Sequence, residues 1–355
     1  MREKKLFQET SLAGIQMRNR FIRSATMEFM ADNQGNMTDA FYNCLLELAD
    51  GGVGLIITGT VYISPEIEST NKGIWLRHNS SLDKLGRLVR EIHKRGAKIG
   101  LQMTYIPSKT KIPSIEIQPS SLSQEEISAI PNYFAEHIQL AKNMEFDCVQ
   151  IHCAHGNLLN KFLSPLFNTR NDQYNGSLEN RSRLLFEILR ETRNLLKDFP
   201  VLVKIHCSEK ESEGGFRIDE SKQLCIRLAE SGISGIEISG ANPIRTNILK
   251  HEHQGYFGKE TMTIADSVHK YSSEKNIPSV SIISVGGHRN IDLMEQLLNS
   301  AENINFISLS RTLICEPDLV NKWKINKNYI PKCIACNSCL ESLIKGNKLN
   351  CLINN

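Results

Sequence analysis

The chain has no apolar run of about 18 residues, the length that a membrane-crossing helix needs. Its opening, Met1-Arg-Glu-Lys-Lys-Leu-Phe7, lacks the apolar core of a secretory signal, so a cytoplasmic protein is expected. Charge of one sign is scarce: 42 Lys+Arg stand against 39 Asp+Glu, a net +3 that reads as spread along the chain. That balance argues against nucleic acid or a membrane surface as the main partner. No fixed-period repeat and no low-complexity tract occur, and no linker precedes about residue 325. A nucleotide-binding glycine fingerprint is missing too. Gly51-Gly-Val-Gly54 lacks the third glycine and precedes a strand instead of following one, so it reads as a tight turn.

What is present begins with size. A length of 355 residues, 40% hydrophobic and 23% charged, supports a sizeable core without disulfide staples. Short β-rich runs recur, each followed by a helix-like stretch: Phe21–Arg23, Val53–Thr58, Ala97–Gln102, Phe146–Ile151, Val201–His206, Gly235–Ser239, Ser281–Val285 and Phe306–Leu309. The helical stretches include Thr38–Ala49, Leu82–Lys94 and Glu125–Asn143, the last with Ser123 and Glu126 placed as a capping box. Eight strands alternating with helices predict an α/β protein, a (β/α)8 TIM barrel over residues 1–325. Longer stretches after Leu101 and Gly240 read as extended loops on the face where barrels build their sites. Residues 326–355 read as a small cysteine-rich appendage.

Several motifs carry chemistry. In order they are Asn19–Thr26, Gly51–Thr58, Leu101-Gln102, Ile151-His-Cys-Ala-His-Gly156, Phe162–Pro165, Asn168–Asp172, Tyr174–Arg181, Val285-Gly-Gly287, Ser310-Arg311 and Glu316-Pro-Asp318. Together they resemble the FMN-dependent old yellow enzyme family (NADH:flavin oxidoreductases), from about residue 5 to the C-terminus, with His152–Arg181 the most specific stretch. The resemblance implies FMN at the C-terminal mouth of the barrel, taking hydride from a reductant such as NAD(P)H. The hydride then passes to the β-carbon of an alkene conjugated to a carbonyl.

Carried over by motif, Ser24, Ala25 and Thr26 meet the isoalloxazine through backbone groups, and Gly59 leaves room for the ring. Gln102 serves its pyrimidine edge as donor and acceptor. Lys204 stands near flavin N1, where a cation stabilises the anionic reduced ring. Gly286, Gly287, Ser310 and Arg311 hold the phosphate, Ser310 replacing the family's usual Gly. His152 and His155 match the pair that grips the substrate's carbonyl oxygen. The same spacing suits a metal, but no third ligand lies nearby in sequence.

Three further residues depart from the family. Asn157 stands where a Tyr usually protonates the α-carbon, and losing a general acid costs on the order of 10²–10⁴-fold. Tyr105 replaces a common His; a stacking or substrate-packing role is expected for it, with its phenol a candidate replacement acid. Met27 gives up a hydrogen bond that tunes the flavin in many relatives.

Of the ten cysteines, six are scattered and read as small buried apolar residues. The other four, Cys333-x2-Cys336-x2-Cys339-x11-Cys351, form a metal signature. Zinc favours two separated Cys-x2-Cys pairs, whereas three close thiolates and one distant suit a [4Fe–4S] cube. The loop Cys333-Ile-Ala-Cys-Asn-Ser-Cys339 resembles the family's iron–sulfur branch, which includes 2,4-dienoyl-CoA reductase, 2-enoate reductase and trimethylamine dehydrogenase. Those relatives continue into FAD- and NAD(P)-binding domains, which are expected to be missing here. Electrons then come from a separate donor protein through the cluster, or directly from NAD(P)H. The expected activity is reduction of an activated C=C bond in a small-molecule substrate, an enone or enoyl thioester. Two alternatives stand beside it: a dehydrogenase of an amine or other small substrate that drains electrons through the cluster, and a non-catalytic electron-transfer or sensing partner. A homo-oligomer is left open.

Overall fold

Runs such as Val201-Leu-Val-Lys-Ile-His206 are too short and too β-branched for helices, and they become parallel strands buried on both faces. The computed structural model describes residues 3–64, 73–76, 80–107, 117–241 and 248–354. Eight strands line the barrel: β1 (Phe21–Arg23), β2 (Leu55–Ile57), β3 (Lys98–Tyr105), β4 (Cys148–Cys153), β5 (Val201–His206), β6 (Gly235–Ser239), β7 (Ser281–Val285) and β8 (Ile304–Leu309). Each pairs in parallel with the next, and β8 returns to β1 through Leu309↔Arg23, so the sheet closes. The protein is therefore a (β/α)8 barrel, as expected.

A helix follows every strand: α1 (Asp39–Asp50), α2 (Ser80–Lys94), α3 (Gln124–Asn143), α4 (Leu178–Leu195), α5 (Ile218–Glu230), α6 (Gly258–Lys275), α7 (Ile291–Ser300) and α8 (Leu319–Ile325). The expected capping box opens α3, with Glu126 N–H donating to Ser123 Oγ and Ser123 N–H to the Glu126 carboxylate. One large apolar cluster fills the space between strands and helices. A second, with Leu12, Ile22, Leu55, Cys148, Leu202 and Phe306, fills the barrel floor. Leu12 belongs to a hairpin, Thr10–Leu12 with Ile15–Met17, that plugs this end and has no counterpart among the expected elements.

Strand β3 runs further than expected because β2 resumes as Val61–Ile63 after a break and pairs with Met103–Tyr105. Much of the extended loops expected after Leu101 and Gly240 lies outside the described residues, at 108–116 and 242–247. Beyond α8 the chain stays tied to the barrel. Trp323, fully buried, stacks on Phe21 with centroids 5.8 Å apart. Arg289 donates to the carbonyls of Cys333 and Pro331 at 2.9 and 2.8 Å, and Leu349 N–H reaches Glu28 O at 3.0 Å. Among the described residues no helix is long and apolar enough to cross a membrane.

Candidate active site

Side chains alternate along each strand, so every second residue faces the barrel axis. On β5 these are Leu202, Lys204 and His206; on β4, Cys148, Gln150 and His152; on β3, Gly100, Gln102 and Thr104. The middle layer is one hydrogen-bonded network. Thr60 Oγ1 donates to Gln102 Oε1 (2.8 Å), Gln102 Nε2 to Gln150 Oε1 (2.7 Å), and Gln150 Nε2 to Glu237 Oε2 (2.8 Å). Glu237 Oε1 accepts from Ser24 Oγ at 2.6 Å and faces Lys204 Nζ at 3.1 Å. Burial pushes the Glu237 carboxyl up, yet Lys204, Ser24 and Gln150 outweigh that and hold it below the ordinary carboxylate range. The layer thus keeps a cation–anion pair inside the barrel. Gln102 spends one donor and its acceptor on the protein itself, which leaves one N–H and one lone pair.

Above it lie the histidines. His155 (φ 58°) and Gly156 (φ 76°) make a left-handed turn after β4. The turn is held by His155 N–H donating to His206 Nε2 and Gly156 N–H to Asn160 Oδ1, both at 2.8 Å. The His152 and His155 rings meet edge to face, centroids 5.3 Å apart. His155 Nε2 shares a 2.8 Å hydrogen bond with Ser239 Oγ. Burial first, then the nearby Lys204, lowers both pKa values well below ordinary histidine and takes His206 to about 3. All three rings are neutral at pH 7. His152 Nδ1 on β4, Thr104 Oγ1 on β3 and Ser308 Oγ on β8 are buried without a hydrogen-bond partner. Such orphans carry a desolvation cost and mark where a ligand's polar atom belongs.

These layers open into a cavity of about 260 Å³ at the C-terminal end of the strands. Nine residues nominated from sequence line it: Ser24, Ala25, Thr26, His155, Lys204, Gly286, Gly287, Ser310 and Arg311, with Met27 beside them. His152 and Gln102 belong to the buried layers beneath. Cys339, Leu340, Leu343 and Leu349 of the C-terminal extension close one wall.

Tyr105 needs correction. It lies on the outer face of β3, stacked on Tyr133 of α3 at 6.0 Å, and burial raises its hydroxyl pKa above the ordinary value. Strand alternation sends Tyr105 outward and Thr104 inward. Gly59 also has a nearer reason to be glycine: a Cβ there would meet the Glu28 carboxylate at 2.0 Å and Thr26 O at 2.5 Å. Glu28 is paired in turn with buried Arg23. Tyr256 stands over Gly286 and Gly287, at 2.7 Å from a Cβ placed on Gly287. Asn157 precedes the short helix Leu158–Leu163 without a side-chain cap to it, and its amide donates to Ala154 O at 3.2 Å.

Residues 5–329 match the NADH:flavin oxidoreductase / NADH oxidase family. The chain belongs to this family. It is an FMN-dependent oxidoreductase. Family relatives include an NADH oxidase of Thermoanaerobacter brockii, 27% identical over 98% of this chain and 56% of the relative. An NADPH dehydrogenase of Clostridium acetobutylicum is 29% identical over 89% and 93%. The fold also matches a solved 2-naphthoyl-CoA reductase, with TM-score 0.83, 21% identity, and coverage of 99% of this chain and 57% of that one. The chain thus spans little more than half of the longer proteins it matches.

The extension brings the four cysteines together. Cys333, Cys336, Cys339 and Cys351 all line one small cavity of about 20 Å³. Left-handed residues on either side of Cys336, Ala335 (φ 55°) and Asn337 (φ 63°), fold the loop around it. Arg311 Nη1 donates to Asn337 Oδ1 at 2.6 Å and so links the two cavities. Sequence reasoning did not single out Arg289, Glu237, Gln150, His206 or Thr104. Nor did it set Cys315 apart from the scattered cysteines, yet its thiol contacts Cys351 and is pushed up to about 12, chiefly by burial.

Proposed function

We propose that this family member reduces a C=C bond conjugated to a carbonyl, in an enone or enoyl thioester, and that its four C-terminal cysteines hold a [4Fe–4S] cluster. The observation that carries the first part is the unpartnered Nδ1 of His152 beside His155, above the Lys204–Glu237 pair. The cavity fits FMN. Lys204 and Arg311 place cations along it, and Gly286 (φ 132°) and Gly287 (φ 69°) leave their backbone without side chains. Ser24–Thr26 line the same cavity from the end of β1, and Gln102 retains one donor and one acceptor. When bound, FMN supplies the hydride.

The residues do the rest. Neutral His152 and His155 donate to the carbonyl oxygen as it gains charge, and each such donor contributes roughly 3–4 kcal/mol in a desolvated site. Lys204, fixed by Ser24 and Glu237, keeps positive charge at the floor of the site. Asn157 supplies no proton and Tyr105 faces away, so the α-carbon takes its proton from water. The cysteine loop fits a cluster because four thiols line one cavity beside the guanidiniums of Arg289 and Arg311, which favour an anionic group. Among the described residues no three His, Cys, Asp or Glu side chains stand close enough for a single ion. A cluster held by Cys333, Cys336, Cys339 and Cys351 would supply one-electron transfer.

The test is anaerobic: chemically reduced protein is mixed with enones and enoyl thioesters while the flavin band is followed. Rapid return of the band is expected. A reduced flavin that stays reduced with every alkene, together with an oxidised flavin that amines reduce, would replace this reading with an amine dehydrogenase.

A further inference from the structure

Two histidines three residues apart on an extended strand point to opposite faces, because side chains alternate. His152 faces the barrel axis, so His155 would face outward if β4 simply continued. The left-handed backbone at His155 (φ 58°) and Gly156 (φ 76°) turns the second ring back, until it meets the first edge to face at 5.3 Å. Such a φ is costly for a residue with a Cβ and persists only where neighbours impose it. Here the neighbour is His206 at the end of β5, whose Nε2 accepts the His155 N–H at 2.8 Å. A backbone N–H can only donate, so Nε2 of His206 is the bare nitrogen and the proton of this neutral ring sits on Nδ1. Asn160 is no acceptor for that proton. Its Oδ1 takes the Gly156 N–H, and its amide nitrogen is what faces Nδ1, at 3.3 Å. Glu209 Oε1 lies beside Nδ1 at 3.9 Å, and the other oxygen of this buried carboxyl, Oε2, has no partner.

The ring of His155 is fixed as well. Its Nε2 shares a 2.8 Å hydrogen bond with Ser239 Oγ, the last residue of β6. Ser239 is buried, and its hydroxyl makes no other hydrogen bond among the described residues. A buried hydroxyl without an acceptor carries a desolvation cost, so Oγ–H donates and Nε2 of the neutral ring accepts. The ring proton is then on Nδ1, which makes no hydrogen bond among the described residues, and the ring lines the barrel-mouth cavity. We infer that Ser239 and His206 are positioning residues that hold His155 with an Nδ1–H donor turned to that cavity. The inference deepens the reading of the histidine pair given above and rests on it. A donor set in advance needs no reorganisation as charge grows on the substrate's oxygen. Both residues end barrel strands, so a rigid scaffold and not a loop sets the donor's direction.

The experiment uses the oxidised holoenzyme with nitrogen-15 in its histidine rings, where protonated and bare nitrogens resonate far apart. Signals are assigned by their loss in His155→Asn and His206→Gln. His155 is expected to show a protonated Nδ1 and a bare Nε2 in the wild type and in Ser239→Thr, and mixed tautomers in Ser239→Ala. Enone turnover is measured in parallel. Ser239→Ala should lower kcat about tenfold with KM within about twofold, since the competent tautomer becomes a minor fraction and its donor acts chiefly in the transition state. Ser239→Thr, which keeps the hydroxyl, should restore the rate. His206→Leu should lower kcat about 10²-fold with the flavin band retained, and His206→Gln, which keeps an acceptor for the His155 N–H, should recover most of it. If His206→Leu loses its flavin, the two Ser239 variants decide. A wild-type His155 protonated on Nε2, Ser239→Ala with wild-type kcat, or equal losses in the two His206 variants would overturn the inference. Wild-type protein that reduces no enone would overturn the reductase reading instead, and the ring spectra would still accept or reject the tautomer.

Discussion

At the level of Ile22, Leu55, Cys148, Leu202 and Phe306 the barrel interior is hydrocarbon, while two residues further along the strands it is a hydrogen-bonded ion pair. The same strands supply both. β5 gives Leu202 to the floor, Lys204 to the network and His206 to the histidine layer, and β4 gives Cys148, Gln150 and His152 in the same rhythm. The floor stabilises without specificity, by removing apolar area from water. The upper layers cost stability unless every group is paired, and they leave His152 Nδ1, Thr104 Oγ1 and Ser308 Oγ unpaired where chemistry is expected.

Substitutions can break this contrast. Glu237→Gln leaves Lys204 buried without its carboxylate and should cost about 3–5 kcal/mol, read from the denaturant midpoint. His152→Ala should lower enone turnover about 10²–10³-fold, with the bound flavin band retained. Proton uptake gives a third test. Folded pKa values of His152, His155, His206 (about 3) and His288 (about 4) lie below those of the unfolded chain. Their contribution is therefore complete above about pH 6.5 and is lost as pH falls from there toward the folded values. Each contributes up to about 1.4 kcal/mol per pH unit. Unfolding midpoints measured between pH 7 and 5 should fall steeply; a flat profile would mean that these rings are charged in the fold. The smallest effects separate the layers most sharply. Ile22→Val in the floor should cost about 0.5–1.5 kcal/mol. Thr104→Val removes an orphaned hydroxyl and should be neutral or stabilising by up to about 1 kcal/mol. Slower enone turnover in Thr104→Val would tie that hydroxyl to the reaction.

Much of the fold was legible because strand and helix periods are local. β1, β5, β6 and β7 begin and end where the residue pattern puts them, and the α3 cap is written in Ser123 and Glu126. The polar network was legible in part. Lys204, Glu237 and Gln150 are polar residues at alternate positions of otherwise apolar strands, a signal that points inward whether or not a family is recognised. Tyr105 was misplaced because the family's pattern outweighed that alternation, which sends Thr104 inward in its stead. The hairpin plug was missed because two three-residue strands leave too short a pattern to see.

The sequence by itself determined the barrel, the family, the histidine pair and the cysteine spacing, since each rests on residue order over a few turns or strands. Only the tertiary structure decided which partner each buried charge has, which atoms are left without one, and that Arg311 joins the barrel-mouth cavity to the cysteine loop. Those facts depend on residues as far apart as Ser24 and Glu237, which meet only because closing the barrel brings distant strands to one axis.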